Sequence, residues 1–162
     1  MGLQRESPGK GIEVVRLIDG VSLTSLKIIV AEGGNVLHAM KASDGSFSGF
    51  GEAYFSTITE GRVKGWKCHR QMILNLIVVV GSIRFVLYDG RDKSSTFQTL
   101  NEFILGPAGD YSRLTIAPEI WMAFQGIGAG DNILLNIADI EHDPNEVDRL
   151  PLANDVIPHL GW

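Results

Sequence analysis

Cysteine is nearly absent from this chain: Cys68 stands alone among 162 residues. One thiol cannot close an intrachain disulfide, which excludes a small disulfide-stapled scaffold. Long apolar runs are missing too. The nearly unbroken run over residues 73 to 80 ends at Gly81, far short of the roughly 20 residues of a spanning helix. The opening segment MGLQRESPGKG has no apolar stretch, so no signal peptide is expected. No block of like charge stands out, and the formal net charge is -5. This argues against a nucleic-acid surface and leaves room for a local basic pocket that takes a phosphorylated small molecule. With 44% hydrophobic and 20% charged residues the chain is not disordered. The expectation is one soluble cytoplasmic domain over residues 1–162, with no membrane partner and with 1–11 as a loose tail.

Sustained helical periodicity is also lacking. Instead, turn signals recur every few residues between short stretches of strand composition. Residues 12 to 18 and 21 to 30 read as strands split by Asp19-Gly20, and 36 to 40 as another. Residues 43 to 51 read as a loop and 52 to 58 as a strand with one polar face. Residues 73 to 80 and 83 to 88 read as a hairpin closed by Gly81-Ser82, since Gly supplies the positive φ of a two-residue turn. Further strands are expected over 97 to 105, 114 to 116, 121 to 124 and 133 to 137, and one helical turn over 144 to 149. Many short strands at this spacing predict an all-β sandwich or jelly-roll barrel. The glycines of Gly126-Ile127-Gly128-Ala129-Gly130 lack a strand-to-helix context, so they carry no dinucleotide fingerprint.

Chemistry-bearing residues crowd the segment GRVKGWKCHR, which begins at Gly61. Lys67 and His69 are two apart and leave one face of a strand, while Cys68 points the opposite way into packing. Lys67 and His69 are therefore the candidate acid–base groups; the alternative is a solvated strand end. Glu52 and Tyr54 share a face and are candidate pocket residues, although Glu52 could do no more than pair with Lys67. Arg84 and Tyr88 leave their strand opposite Phe85 and Leu87, and one of them is expected to enter the barrel.

The spacing resembles the first motif of the cupin superfamily. Gly61, Lys67, His69, Leu74 and Gly81 fall on its glycine, HxH, glutamate and closing-glycine positions. Lys67 and Leu74 thus replace two of the three metal ligands. A protonated amine has no lone pair to give and leucine has none at all. The resemblance implies a cupin-type β jelly-roll barrel without metal and without another cofactor.

Four segments are similar to the dTDP-4-dehydrorhamnose 3,5-epimerase family. Val63-Lys64-Gly65-Trp66-Lys67 resembles its basic-Gly-aromatic-His motif, and the segment from Asp89 to Phe97 resembles its D-x-R-x-x-S-P-T-F loop. The segment from Leu114 to Phe124 resembles a strand ending IPPGxxHGF, with Met122 in place of His. His142-Asp143-Pro144-Asn145-Glu146 resembles a Y-x-P-x-x-E region. The resemblance implies proton removal next to the keto group of a dTDP-4-keto-6-deoxyhexose or related nucleotide sugar, in surface-polysaccharide or deoxysugar synthesis. It puts Lys67 at the family's basic histidine, Lys64 at a phosphate-binding arginine and Asn136 near an acidic tyrosine. Lys64, Glu52, Tyr54, Met122 and Asn136 become the substrate-binding candidates, with Lys64, His69 and Arg70 as cations that could lower the pKa of Lys67. It also implies a homodimer that shares the N-terminal strands of residues 21 to 30. A sugar- or anion-binding cupin that has lost catalysis is the alternative, because the family's histidine and tyrosine are both replaced. A metal-dependent dioxygenase is the weaker third option.

Overall fold

The computed structural model describes residues 16–158 and 161–162. The tail expected over 1–11 and most of the strand expected over 12–18 lie outside them. Twelve strands run in chain order: β1 (Val21–Ser25), β2 (Ile28–Ile29), β3 (Val36–Leu37), β4 (Glu52–Thr59), β5 (Val63–His69), β6 (Leu74–Val80), β7 (Ile83–Tyr88), β8 (Leu100–Leu105), β9 (Ser112–Ile116), β10 (Trp121–Gly126), β11 (Asp131–Ala138) and β12 (Val147–Arg149). Two antiparallel five-stranded sheets, in the orders β1-β9-β6-β11-β4 and β12-β5-β10-β7-β8, face each other, and β2-β3 is a separate small ribbon. The fold is an all-β cupin-type jelly roll.

The core lies between the sheets, where alternate residues converge. Leu74, Leu76 and Val78 of β6 meet Ile83, Phe85 and Leu87 of β7 in one cluster with Leu114, Ile116 and Phe124. Phe85 and Phe124 pack with ring centroids 5.8 Å apart. Each such side chain contributes about 1.5–3 kcal/mol on full burial. Both faces of β6 are covered, which is why its sequence runs apolar without alternating. On its outer side Ile77 pairs with Arg113 of β9. Arg113 is wholly buried and donates to Ala39 O at 2.7 Å, Asp44 Oδ2 at 3.0 Å and Ser46 Oγ at 2.6 Å, drawing that loop across the sheet.

Gly81-Ser82 does not close a hairpin. β6 and β7 belong to different sheets, and the pair is a corner where the chain crosses the sandwich. Buried Asn132 makes this corner: its Oδ1 accepts from Ser82 N at 2.8 Å and Gly128 N at 3.1 Å, and its Nδ2 donates to Ile58 O at 3.1 Å. Gly81 has φ +76°, and a Cβ there would lie 2.2 Å from Asn132 Oδ1. The short local turn was legible; its long-range anchor was not.

Other expectations shift for similar reasons. The strand expected over 21 to 30 is divided into β1 and β2, and only Val36–Leu37 of the next one pairs. β8 starts at Leu100 because residues before it turn around Asp89: Gln98 N donates to Asp89 O at 2.8 Å. The expected helical turn is a 3-10 turn over Pro144–Glu146, capped by the Asp143 carboxylate on Asn145 N at 2.8 Å, and β12 follows at once. Neither Arg84 nor Tyr88 enters the barrel. Tyr88 joins an outer cluster with Trp66, Val86 and Ile157. Arg84 reaches Glu102 Oε2 at 2.8 Å and lies over the Trp162 ring, 5.6 Å from its centroid.

Candidate functional site

At one mouth of the barrel is a cavity of about 100 Å³. β5 brings Lys64, Lys67 and His69 to it, β10 brings Met122 and Phe124, and β4 and β11 bring Tyr54, Ser56 and Asn136. Strict alternation would separate Lys64 from Lys67. A bulge restores them to one side: Met122 is opposite Lys67 while Phe124 is opposite Lys64, so three steps on β5 match two on β10.

The three basic residues are held differently. Lys64 Nζ donates to Thr57 O at 2.5 Å and Ser56 Oγ at 3.2 Å. His69 is only 11% exposed, and its Nδ1 meets Glu146 Oε1. Buried Glu146 is itself fixed, because Oε2 accepts from the amides of Arg70 and Gln71 at 3.1 Å and of Met72 at 3.3 Å. Burial pushes the Glu146 carboxyl up, but the His69 contact and these amides outweigh it and hold the group below its ordinary value. Lys67 has no hydrogen-bond or ion-pair partner among the described residues. Burial, then the positive charges of Arg149 and Lys64, lower its ammonium pKa. Arg149 of β12 stands directly opposite Lys67, so both side chains rise on the same side of the sheet.

Across the cavity Asn136 Nδ2 donates to the Tyr54 hydroxyl at 3.1 Å. The Tyr54 proton is therefore free to be offered to another acceptor. β11 holds the pair in register, since Asn136 is opposite Tyr54. A phenol hydroxyl thus stands beside Asn136, delivered from the neighbouring strand.

The structure gathers Lys64, Lys67, His69, Tyr54, Met122 and Asn136 around one space. Glu52 is not among the lining residues; it begins β4 opposite Ala138 and forms no ion pair with Lys67. Arg70 is not one of the cations acting on Lys67. It leaves the other face, with Nε 3.0 Å from Asp148 Oδ2 and Nη1 3.1 Å from Asn145 O. Cys68 is buried on that outer side, where burial and then the Asp148, Glu119 and Glu146 carboxylates push the thiol up to about 12. A thiol so shifted is not a nucleophile near neutrality. Glu146 and Arg149 were missed as partners of the site. The Asp-Pro turn and the Glu after it were visible, but only the β12–β5 pairing brings them to His69 and Lys67.

The cupin ligand positions carry Lys67, His69 and Leu74, and Leu74 lines the cavity as wall. This donor set does not fit a metal ion. Among the described residues there is no cluster of three or more His, Cys, Asp and Glu side chains suited to one.

No protein-family model matches the chain, and no curated protein matches it either. Solved structures do. A dTDP sugar isomerase from Desulfovibrio desulfuricans G20 is 41% identical, with 88% of this chain and 90% of that chain covered and a TM-score of 0.86. NovW, a 4-keto-6-deoxy sugar epimerase from Streptomyces spheroides, is 18% identical over 93% of this chain and 78% of its own, at a TM-score of 0.75. ChmJ, a 3'-monoepimerase from Streptomyces bikiniensis solved with dTDP-quinovose, is 16% identical over 89% and 80%, also at 0.75. The last two show the fold; the 41% identity over nearly the whole of both chains shows more, and the chain belongs to the dTDP-sugar isomerase and dTDP-4-dehydrorhamnose 3,5-epimerase-like family of cupins.

Proposed function

We propose that this protein isomerises or epimerises a dTDP-4-keto-6-deoxyhexose, or a closely related nucleotide sugar, by moving a proton next to the keto group. The observation that carries the reading is the pairing of two titratable groups, Lys67 and the Glu146-braced His69, in one cavity of a chain 41% identical to a dTDP sugar isomerase. Epimerisation needs a group to take the proton, a group to return one, and a donor to the oxygen that becomes negative. His69 and Lys67 supply the first two, and the Tyr54 hydroxyl stands on the opposite wall. Lys64 and Arg149 at the mouth suit the diphosphate. Met122 and Asn136 shape the sugar pocket. Incubation with dTDP-4-keto-6-deoxyglucose in deuterated water is expected to place deuterium at C3 or C5. No incorporation at high enzyme concentration overturns the proposal.

The replacement of the family histidine by Lys67 favours a second reading, a binding protein without turnover. Calorimetry would then show saturable uptake of the nucleotide sugar with no deuterium incorporated.

A homodimer belongs to the same proposal. Ile29, Val30 and Val36 are exposed apolar side chains on the small β2-β3 ribbon and its flank, a surface that a second copy would cover. Light scattering at micromolar concentration should give twice the 17.7 kDa chain mass; a monomer alone removes this part. No described helix is long and apolar enough to cross a membrane, and the cytoplasm is the compartment we assign.

A further inference from the structure

We propose that Lys67 acts covalently, its amine forming an imine with the keto carbon of the bound sugar, while His69 moves the protons. This rests on the keto-sugar reading above and assigns the work within that site.

Three features lead to it. Lys67 lines the cavity yet has no ion-pair or hydrogen-bond partner among the described residues, and no carboxylate lines the cavity with it. The charged groups acting on it are Arg149 and Lys64, the titratable neighbour on its own face is His69, and the Glu146 carboxylate is already engaged by His69 and three amides. A lysine kept only to balance charge within the fold would be placed beside an acid. One set among cations and apolar walls is arranged to lose its proton, and a neutral amine is a nucleophile toward ketones.

Second, the cavity already has a proton-transfer group. His69 is aimed by Glu146 and needs no help from an amine two residues away. Third, the walls contributed by Leu74, Leu76, Leu134, Met122 and Phe124 are apolar, so donors to a developing enolate oxygen are few. An iminium nitrogen meets that need by placing positive charge on the atom bonded to the reacting carbon.

The steps balance. The amine nitrogen bonds to the keto carbon, and one amine proton passes to the oxygen, giving a carbinolamine. His69 in its protonated form donates to that hydroxyl, which leaves as water, and the C=N bond forms as a protonated imine. Neutral His69 then takes the proton from the adjacent carbon, and the electron pair of the C–H bond moves toward nitrogen to give an enamine. The Tyr54 hydroxyl, on the wall across from His69, gives its proton to that carbon on the other face, which restores the iminium. The phenolate and the imidazolium of His69 then exchange their proton through solvent. Water adds back, the C–N bond breaks, and ketone and lysine are regenerated; no oxidant or reductant is consumed.

The test is reductive trapping. The full chain is incubated with dTDP-4-keto-6-deoxyglucose and cyanoborohydride, and intact mass and peptide mapping follow. The expected result is about one sugar nucleotide per chain, located on Lys67. Lys67→Arg keeps the charge but cannot form the imine, and should show no adduct at an unchanged melting temperature. Absence of an adduct, or one that persists in Lys67→Arg, overturns the proposal. Deuterium incorporation is read in parallel without the reductant. Incorporation without an adduct leaves the isomerase standing and removes the imine. An adduct on Lys67 without incorporation keeps the imine and removes the proton transfer.

Discussion

Two polar clusters belong to the second sheet, one where the chain leaves β7 and one on β5, and they treat charge in opposite ways. Around Asp89 every need is met. Its wholly buried carboxylate accepts from Arg91 Nε and Nη2 at 2.8 Å, Arg91 N at 3.1 Å, Ser94 Oγ at 2.6 Å and Thr96 Oγ1 at 2.7 Å. Burial pushes this carboxyl up, but the Arg91, Ser94 and Thr96 bonds prevail and hold it well below the ordinary carboxylate range. Around Lys67 the charge is left without a counter-ion. The first cluster fastens a loop, and the second leaves an amine in the cavity to which we assign the chemistry. The contrast shows why a motif match alone does not locate a site: the D-x-R-x-x-S loop resembles the family more closely, yet its polar groups spend their hydrogen bonds on one another.

The largest expected effect tests the fastened side. Asp89→Asn leaves the Arg91 guanidinium without its buried partner, and should cost about 3–5 kcal/mol of stability in urea unfolding. A loss below about 1 kcal/mol, the range of an exposed pair, would make the two clusters alike. On the reactive side, Lys67→Met keeps the apolar stem and removes the amine. Deuterium incorporation should fall by about a hundredfold or more, with nucleotide-sugar affinity changed much less because Lys64 and Arg149 remain. Unchanged rate and affinity would mark Lys67 as surface.

Glu146→Gln keeps the size of the side chain but not its charge. Turnover should fall by about tenfold, because His69 loses the carboxylate that aims its ring. Its stability signature has a definite sign. A carboxyl depressed in the folded state contributes stability above its ordinary value of 4.5, and loses it as pH falls through the lower folded value. The melting temperature of Glu146→Gln should therefore approach that of the parent protein in acid and fall behind it above that range.

The smallest effect concerns Lys67 and stability. Its lowered pKa means that the unfolded chain binds the proton more tightly, so the charged lysine destabilises the fold. That cost is full below the folded pKa and disappears as pH rises toward the ordinary value of 10.5. Lys67→Met should accordingly melt slightly higher than the parent at pH 7 and converge with it above that value. A lower melting temperature would show that the amine has a partner.

Much of the architecture was legible. β4, β6, β7, β10 and β11 were expected within a residue or two, because apolar patterning and Gly or Pro breaks are local properties of the chain. The face shared by Lys67 and His69 was legible for the same reason, since alternation along a strand is geometry. Lys64 reached the same side only through a bulge, which depends on how β5 and β10 fit together. Glu52, chosen by alternation with Tyr54, fell outside the cavity, because the first residue of a strand lies at the barrel's rim.

The amino-acid sequence by itself determined that the chain is all-β, that its single cysteine leaves the strand opposite Lys67 and His69, and that the cupin ligand positions hold an amine and an alkyl group. Those follow from side-chain chemistry and short-range periodicity. Only the tertiary structure decided which charges are satisfied. His69 meets Glu146, 77 positions further along the chain, and Lys67 meets no acid, because β12 adds to the edge of β5. Charge interactions depend on distance in space and on exclusion from water, and neither is written in sequence separation.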